Sequence, residues 1–160
     1  MTEIEKIEDQ LRRAFAGDAW HGSSLIEILA GVTAEEARAK PLPNAHSIWE
    51  IVLHVAAWDG AVRQRLEGET VRTPDEGDWP EVGDTSEAAW KDALARLTKR
   101  HEELRETIKL LPDERLNEQL GQERDPPTGG GVSVYTTLHG IVQHNVYHAG
   151  QIALLKKARS

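Results

Sequence analysis

The chain has 160 residues, enough for one domain with a real core and too few for two. Its formal charge of -8, from 27 acidic against 19 basic residues, comes without any Lys/Arg run, which argues against nucleic acid and anionic membranes as partners. Cysteine is absent, so there is no disulfide, no thiolate ligand and no cysteine nucleophile, and the charged N-terminus and lack of a long apolar run predict a soluble, cytoplasmic protein.

Residues 3–16 place Ile4, Ile7, Leu11 and Ala14 or Phe15 on one side, which predicts an amphipathic helix weakened at Gly17-Asp18. A helical piece over about 22–30, carrying Leu25, Ile28 and Leu29, either continues it or follows a bend. Thr33-Ala34-Glu35-Glu36 has the side chains of a capping box and predicts a short helix ending before Pro41 and Pro43. Ser47-Ile48-Trp49-Glu50 is a second box. It opens a helix running to about Leu66 with Ile48, Ile51, Val52, Val55, Trp58 and Val62 inward and His54 at the edge of that face. From Gly68 to Asp84 the pattern gives way to a long polar loop with one aromatic, Trp79, expected to be exposed; loops of this length are often functional.

A further helix starts at Thr85 or Ser86 and steps by four and three through Trp90, Leu94, Leu97, His101, Leu104, Ile108 and Leu111, a heptad seam that Pro112 ends. Residues 117–132, with Pro126-Pro127 and Gly129-Gly130-Gly131, read as a flexible connector, since neither a preceding strand nor the lysine of a phosphate loop is present. The last helix begins near Ser133 and repeats the seam through Val134, Leu138, Ile141, Asn145, His148, Ile152 and Leu155. No alternating strand is evident. The expectation is an all-α four-helix bundle forming one domain over 1–160, with long connecting loops and one or two short extra helices.

Two polar residues, Asn145 and His148, therefore fall on an apolar seam, where unpaired groups would cost roughly 1–3 kcal/mol each. His144 and His148 are four apart, one turn above each other on a helix, so both rings can reach one metal ion. His54 lies midway along another helix and can supply a third ligand. Three protein ligands leave a coordination position for water or substrate, and imidazole suits zinc, nickel, iron or manganese. The residue after His144 is Asn145, which cannot ionise, where a zinc protease carries its glutamate base; neither His54 nor His148 has the Glu-x-x-His spacing of di-iron bundles. Asn145, Gln151, Trp58 and His101 are candidates to contact or line the site, although His101 reads first as a core histidine. His21, His46 and His139 read as loop or boundary residues, Trp20, Trp49, Trp58 and Trp90 as core before pocket, and Tyr147 as surface or dimer packing before a lining of the site.

The stretches Ser47-Ile48-Trp49-Glu50-Ile51-Val52-Leu53-His54-Val55-Ala56-Ala57-Trp58 and Gln143-His144-Asn145-Val146-Tyr147-His148-Ala149-Gly150-Gln151-Ile152 resemble the DinB/YfiT-like family of bacterial four-helix bundles. The resemblance implies a divalent metal, zinc or nickel ahead of iron or manganese, held by His54, His144 and His148, and a homodimer. Some relatives are metal-dependent transferases that activate a low-molecular-weight thiol such as bacillithiol or mycothiol, and others are described as metal-dependent hydrolases. The resulting expectation is an enzyme joining such a thiol to an electrophilic small molecule. Metal-water hydrolysis and a non-catalytic metal-binding bundle are the alternatives.

Overall fold

Helices in this chain start where a hydroxyl side chain can take up backbone N–H groups that have no partner of their own. In the computed structural model, which describes residues 1–125 and 130–158, Thr2, Ser24, Thr33 and Ser47 each accept from the backbone of a glutamate three residues on, whose carboxylate accepts in return. These boxes open α1 (Glu3–Ala16), α2 (Leu25–Leu29), α3 (Ala34–Arg38) and α4 (Ile48–Leu66). Ser86 caps α5 (Glu87–Lys109), and Ser133 accepts from Thr136 at the start of α6 (Val134–Ala158). Gly17, at φ 141°, and Asp18, at φ 64°, leave the helical region together, so α2 is a separate helix and not a continuation of α1.

The long helices close a ring: α1 and α4 each pack against both α5 and α6. Short α2 lies on α1 and α6, and α3 lies on α4 and α5. This is an all-α bundle with one small addition. Residues read as a flexible connector contain a two-stranded antiparallel hairpin, β1 (Gln119–Asp125) and β2 (Gly130–Ser133), pairing Gln119 with Ser133 and Leu120 with Val132. A strand carrying Gly130 and Gly131 has few side chains to alternate, so its pairing leaves no period-two pattern to read. Leu120 is buried and anchors the hairpin beneath the bundle. Pro126, Pro127 and Gly129 lie outside the described residues.

The apolar core is divided. One cluster gathers Phe15, Val55, Leu97, Ala149 and Ile152 with Trp49 and Trp90; the other gathers Leu11, Val62, Leu104, Leu138 and Ile141. Between them, one residue from each of three helices is polar and buried: Asp59 on α4, His101 on α5 and Asn145 on α6. The α4 seam accordingly runs through Ile48, Val52, Val55, Asp59, Val62 and Leu66. Trp58, expected on that seam, is only half-buried and lies at the rim of the histidine cluster. Trp20, expected in the core, is fully exposed, because it sits in the turn after α1 and on no helix face. On α5, Ala93 takes a buried place while Leu94 is half-buried, and the helix ends at Lys109, leaving Leu111, expected on the seam, half-buried beyond it. No helix among the described residues is long and apolar enough to cross a membrane.

Ser47 caps the helix that carries His54. Ser47→Ala should lower unfolding free energy by about 1 kcal/mol, read from the urea midpoint.

Candidate metal centre

Three rings meet where α4 faces α6. His54 is on α4 and His144 and His148 on α6, with ring centres 4.6 Å (His54 to His148), 4.5 Å (His144 to His148) and 5.0 Å (His54 to His144) apart. One ligand nitrogen from each lies within 4.8 Å of the other two, a grouping that could hold a metal ion. Each ring is also tied from behind. His54 Nδ1–H donates to the backbone carbonyl of Asp78 (2.6 Å), His148 Nδ1–H to Gln151 Oε1 (2.7 Å) and His144 Nδ1–H to Asn145 Oδ1 (3.2 Å).

Those three acceptors have no proton to give, so each Nδ1 carries the hydrogen and each Nε2 keeps its lone pair. His54 Nε2 and His144 Nε2 then face each other at 3.0 Å with no proton between them. Protonation is an unfavourable remedy: burial lowers the pKa of all three rings, His144 to about 4 with the neighbouring His148 adding to the effect. Lone pairs crowded together on neutral imidazoles suit a divalent cation, and the oxygens behind them are what orients metal-binding histidines.

Two of these supports were candidates from sequence, Gln151 and Asn145; Asp78 was missed. Asp78 lies in the 68–84 loop, where no periodicity signals which residue docks. Its carboxylate also accepts the Trp58 indole N–H (2.8 Å), so one loop residue holds both a ring of the cluster and the aromatic beside it. The loop itself is fastened to α5 through Glu76, which Arg96 and Arg100 contact at 2.7 and 3.4 Å.

Trp79 is not the free aromatic that its loop setting implies. Its ring stacks on His54 (centroids 3.8 Å apart, planes within 8°) and, on the other face, on His46 (3.5 Å, 7°). His46 thus joins the wall of the site despite its position before α4. The stack borders a cavity of about 380 Å³ with Ile51, Tyr147, His148 and Leu155 in its walls. Tyr147 is exposed and meets His148 edge-on. His21 lines a separate depression with exposed Trp20, and His139 tilts against Tyr135, both away from the cluster.

His101 does not enter the triad. It stacks on Phe15 at 3.8 Å, and its Nδ1 lies 3.8 Å from Asp59 Oδ2, too long for a hydrogen bond. Neither ring nitrogen has a partner among the described residues, and burial pushes its pKa down to about 3. Asp59, which sequence reading passed over, is buried completely; Asn145 Nδ2–H donates to its Oδ1 at 3.0 Å. Burial raises its pKa to about 7 against the lowering effect of that bond. The signal for Asp59 was available: it stands four after Val55 and three before Val62, on the seam.

The fold and the cluster define a helical bundle with a three-histidine site capable of holding a metal. Its sequence gives the narrower assignment: the chain belongs to the DinB superfamily, whose pattern matches residues 18–152. No curated protein and no solved structure matches it.

Asp59 gives a pH test. Its folded pKa of about 7 lies above the unfolded carboxylate value of about 3.9, so its contribution is full below about pH 4 and is lost as pH rises through 7. His101 acts oppositely, contributing above about pH 6.5 and losing that contribution as pH falls towards 3. Asp59→Asn removes only the first effect. Urea unfolding should show the variant gaining on the wild type by on the order of 2–4 kcal/mol between about pH 4 and pH 8; a flat difference would contradict a protonated Asp59.

Proposed function

We propose that His54, His144 and His148 bind a divalent metal ion, zinc or nickel ahead of iron or manganese, and that the centre joins a low-molecular-weight thiol to an electrophilic small molecule. The observation that carries this reading is the convergence of neutral rings whose Nδ1 atoms are all occupied, leaving lone pairs directed at one another. Membership of the DinB superfamily supports it. A divalent ion bound there would make a thiol acidic enough to ionise near neutral pH.

The chain's own groups favour an external nucleophile. No cysteine exists in the sequence, and Asn145, where a zinc protease has its glutamate, is a fixed amide held between His144 and Asp59. The thiol loses its proton to solvent, its sulfur forms a bond to the electrophilic carbon, and the leaving group departs with the electron pair of the bond that breaks. Trp79, Tyr147, Ile51 and Leu155 offer an apolar bed for the electrophile beside His148.

The test uses protein made without a His-tag. Elemental analysis should find about one metal per chain, lost in His54→Ala, and zinc at a hundred times its Kd should add about 2.7 kcal/mol to stability in the wild type alone. With a bromobimane as electrophile, its consumption should require an added thiol. His148→Ala should reduce that rate by more than the roughly 10–100-fold typical of losing an outer contact to a metal ligand. Unchanged turnover in His148→Ala sinks the proposal, and ester turnover without thiol would favour hydrolysis instead.

A further inference from the structure

The histidine cluster is approached from two sides. At His148 lies the apolar cavity with Trp79 and Tyr147. On the His144 side lies a smaller one, about 220 Å³, whose walls include Trp58, Val62, Arg65, Thr137, Ile141 and His144. The second cavity differs from the first in containing a guanidinium.

Arg65 is half-buried. Its Nε–H donates to the carbonyl of Val71 (2.9 Å) and its Nη2 to that of Arg72 (3.4 Å), and its charge sits 5.4 Å from the centre of the Trp58 ring. Carbonyls and an indole face orient a cation without neutralising it. Every other arginine of the four long helices faces a carboxylate: Arg12 and Arg13 face Asp9, Arg63 faces Glu67, Arg96 and Arg100 face Glu76, and Arg105 faces Glu8. Arg65 has no such partner among the described residues. Burial alone accounts for its lowered pKa, with no acidic neighbour acting on it. A partly desolvated charge left without a counter-ion is costly, and here it stands in the wall of a cavity that His144 also lines.

We infer that the Trp58–Arg65–His144 cavity is a second subsite of the same centre, one that binds the carboxylate of a small molecule whose reacting end lies at His144. The guanidinium presents its donors in a fork that matches a carboxylate. With a net charge of -8 the chain as a whole repels anions, so selectivity for an acid has to be local, and Arg65 is the local cation. The subsite rests on the reading of the histidines as the reacting centre and sharpens it: the thiol reactant is an acid, received at His144 in a cavity separate from the apolar one at His148.

The experiment titrates the zinc-loaded, full-length protein with propionate, 3-mercaptopropionate and 3-mercaptopropionamide, following the Arg65 Nε–H and Trp58 Nε1–H resonances by NMR. Both acids should shift the Arg65 Nε–H signal and the amide should leave it in place, while either thiol can move the Trp58 signal by binding beside His144; 3-mercaptopropionate should bind about tenfold more tightly than the amide, equivalent to about 1.4 kcal/mol. Arg65→Gln should abolish the preference and Arg65→Lys should keep part of it. Equal binding of acid and amide by the wild type overturns the subsite without recourse to a variant, as does a preference that survives in Arg65→Gln or a failure of both acids to move either resonance. If both acids bind through Arg65 while no thiol supports bromobimane consumption, the subsite stands and the thiol-transfer reading fails.

Discussion

The hydrogen bond between Asn145 and Asp59 is the constraint on which the rest of the site depends. It is buried, it joins α4 to α6, and these are the two helices that carry the three histidines. A carboxyl in the core must find a donor, so sliding α6 by one turn, about 5.4 Å, would leave Asp59 unsatisfied. The same turn would carry His144 and His148 past His54. Register is therefore fixed by a polar pair where apolar seams alone would tolerate slippage, since Leu and Ile at successive seam positions offer similar surfaces.

The bond also has a chemical consequence at its far end. Asp59 Oδ1 accepts from the NH₂ side of the Asn145 amide, which turns the amide oxygen towards His144. A buried acid in the middle of the core thus sets which nitrogen of a ring in the site keeps its lone pair. The layer is poor for stability, because Asp59 Oδ2 and both nitrogens of His101 lack partners among the described residues. It trades some core cohesion for a fixed geometry.

Much of the fold was legible. The capping boxes at Thr33 and Ser47, the seam of α5 and the long run of α6 are local patterns, and local patterns survive into the structure. The i, i+4 histidine pair was legible for the same reason, and His54 because it lies mid-helix. What escaped has a common cause. Trp79, Asp78 and His46 come from segments without periodicity, and only tertiary docking brings them to the histidines. The hairpin escaped because its second strand begins with glycines. Asp59 was different: the four-three spacing pointed to it, but the larger apolar surface of Trp58 one residue earlier drew the seam off line.

Asp78 fastens His54 chiefly through its backbone carbonyl, at 2.6 Å, with its carboxylate 3.4 Å from the same Nδ1. Any residue at that position would offer the same oxygen, so the tautomer of His54 depends first on the course of the 68–84 loop, which the side chains of Glu76 and Asp78 hold in place. Lengthening or shortening the loop by one residue would displace that carbonyl, whereas substitutions that spare Glu76 and Asp78 would leave it where it is. Part of the chemistry of this centre is thus written in chain length, where inspection of side chains does not find it.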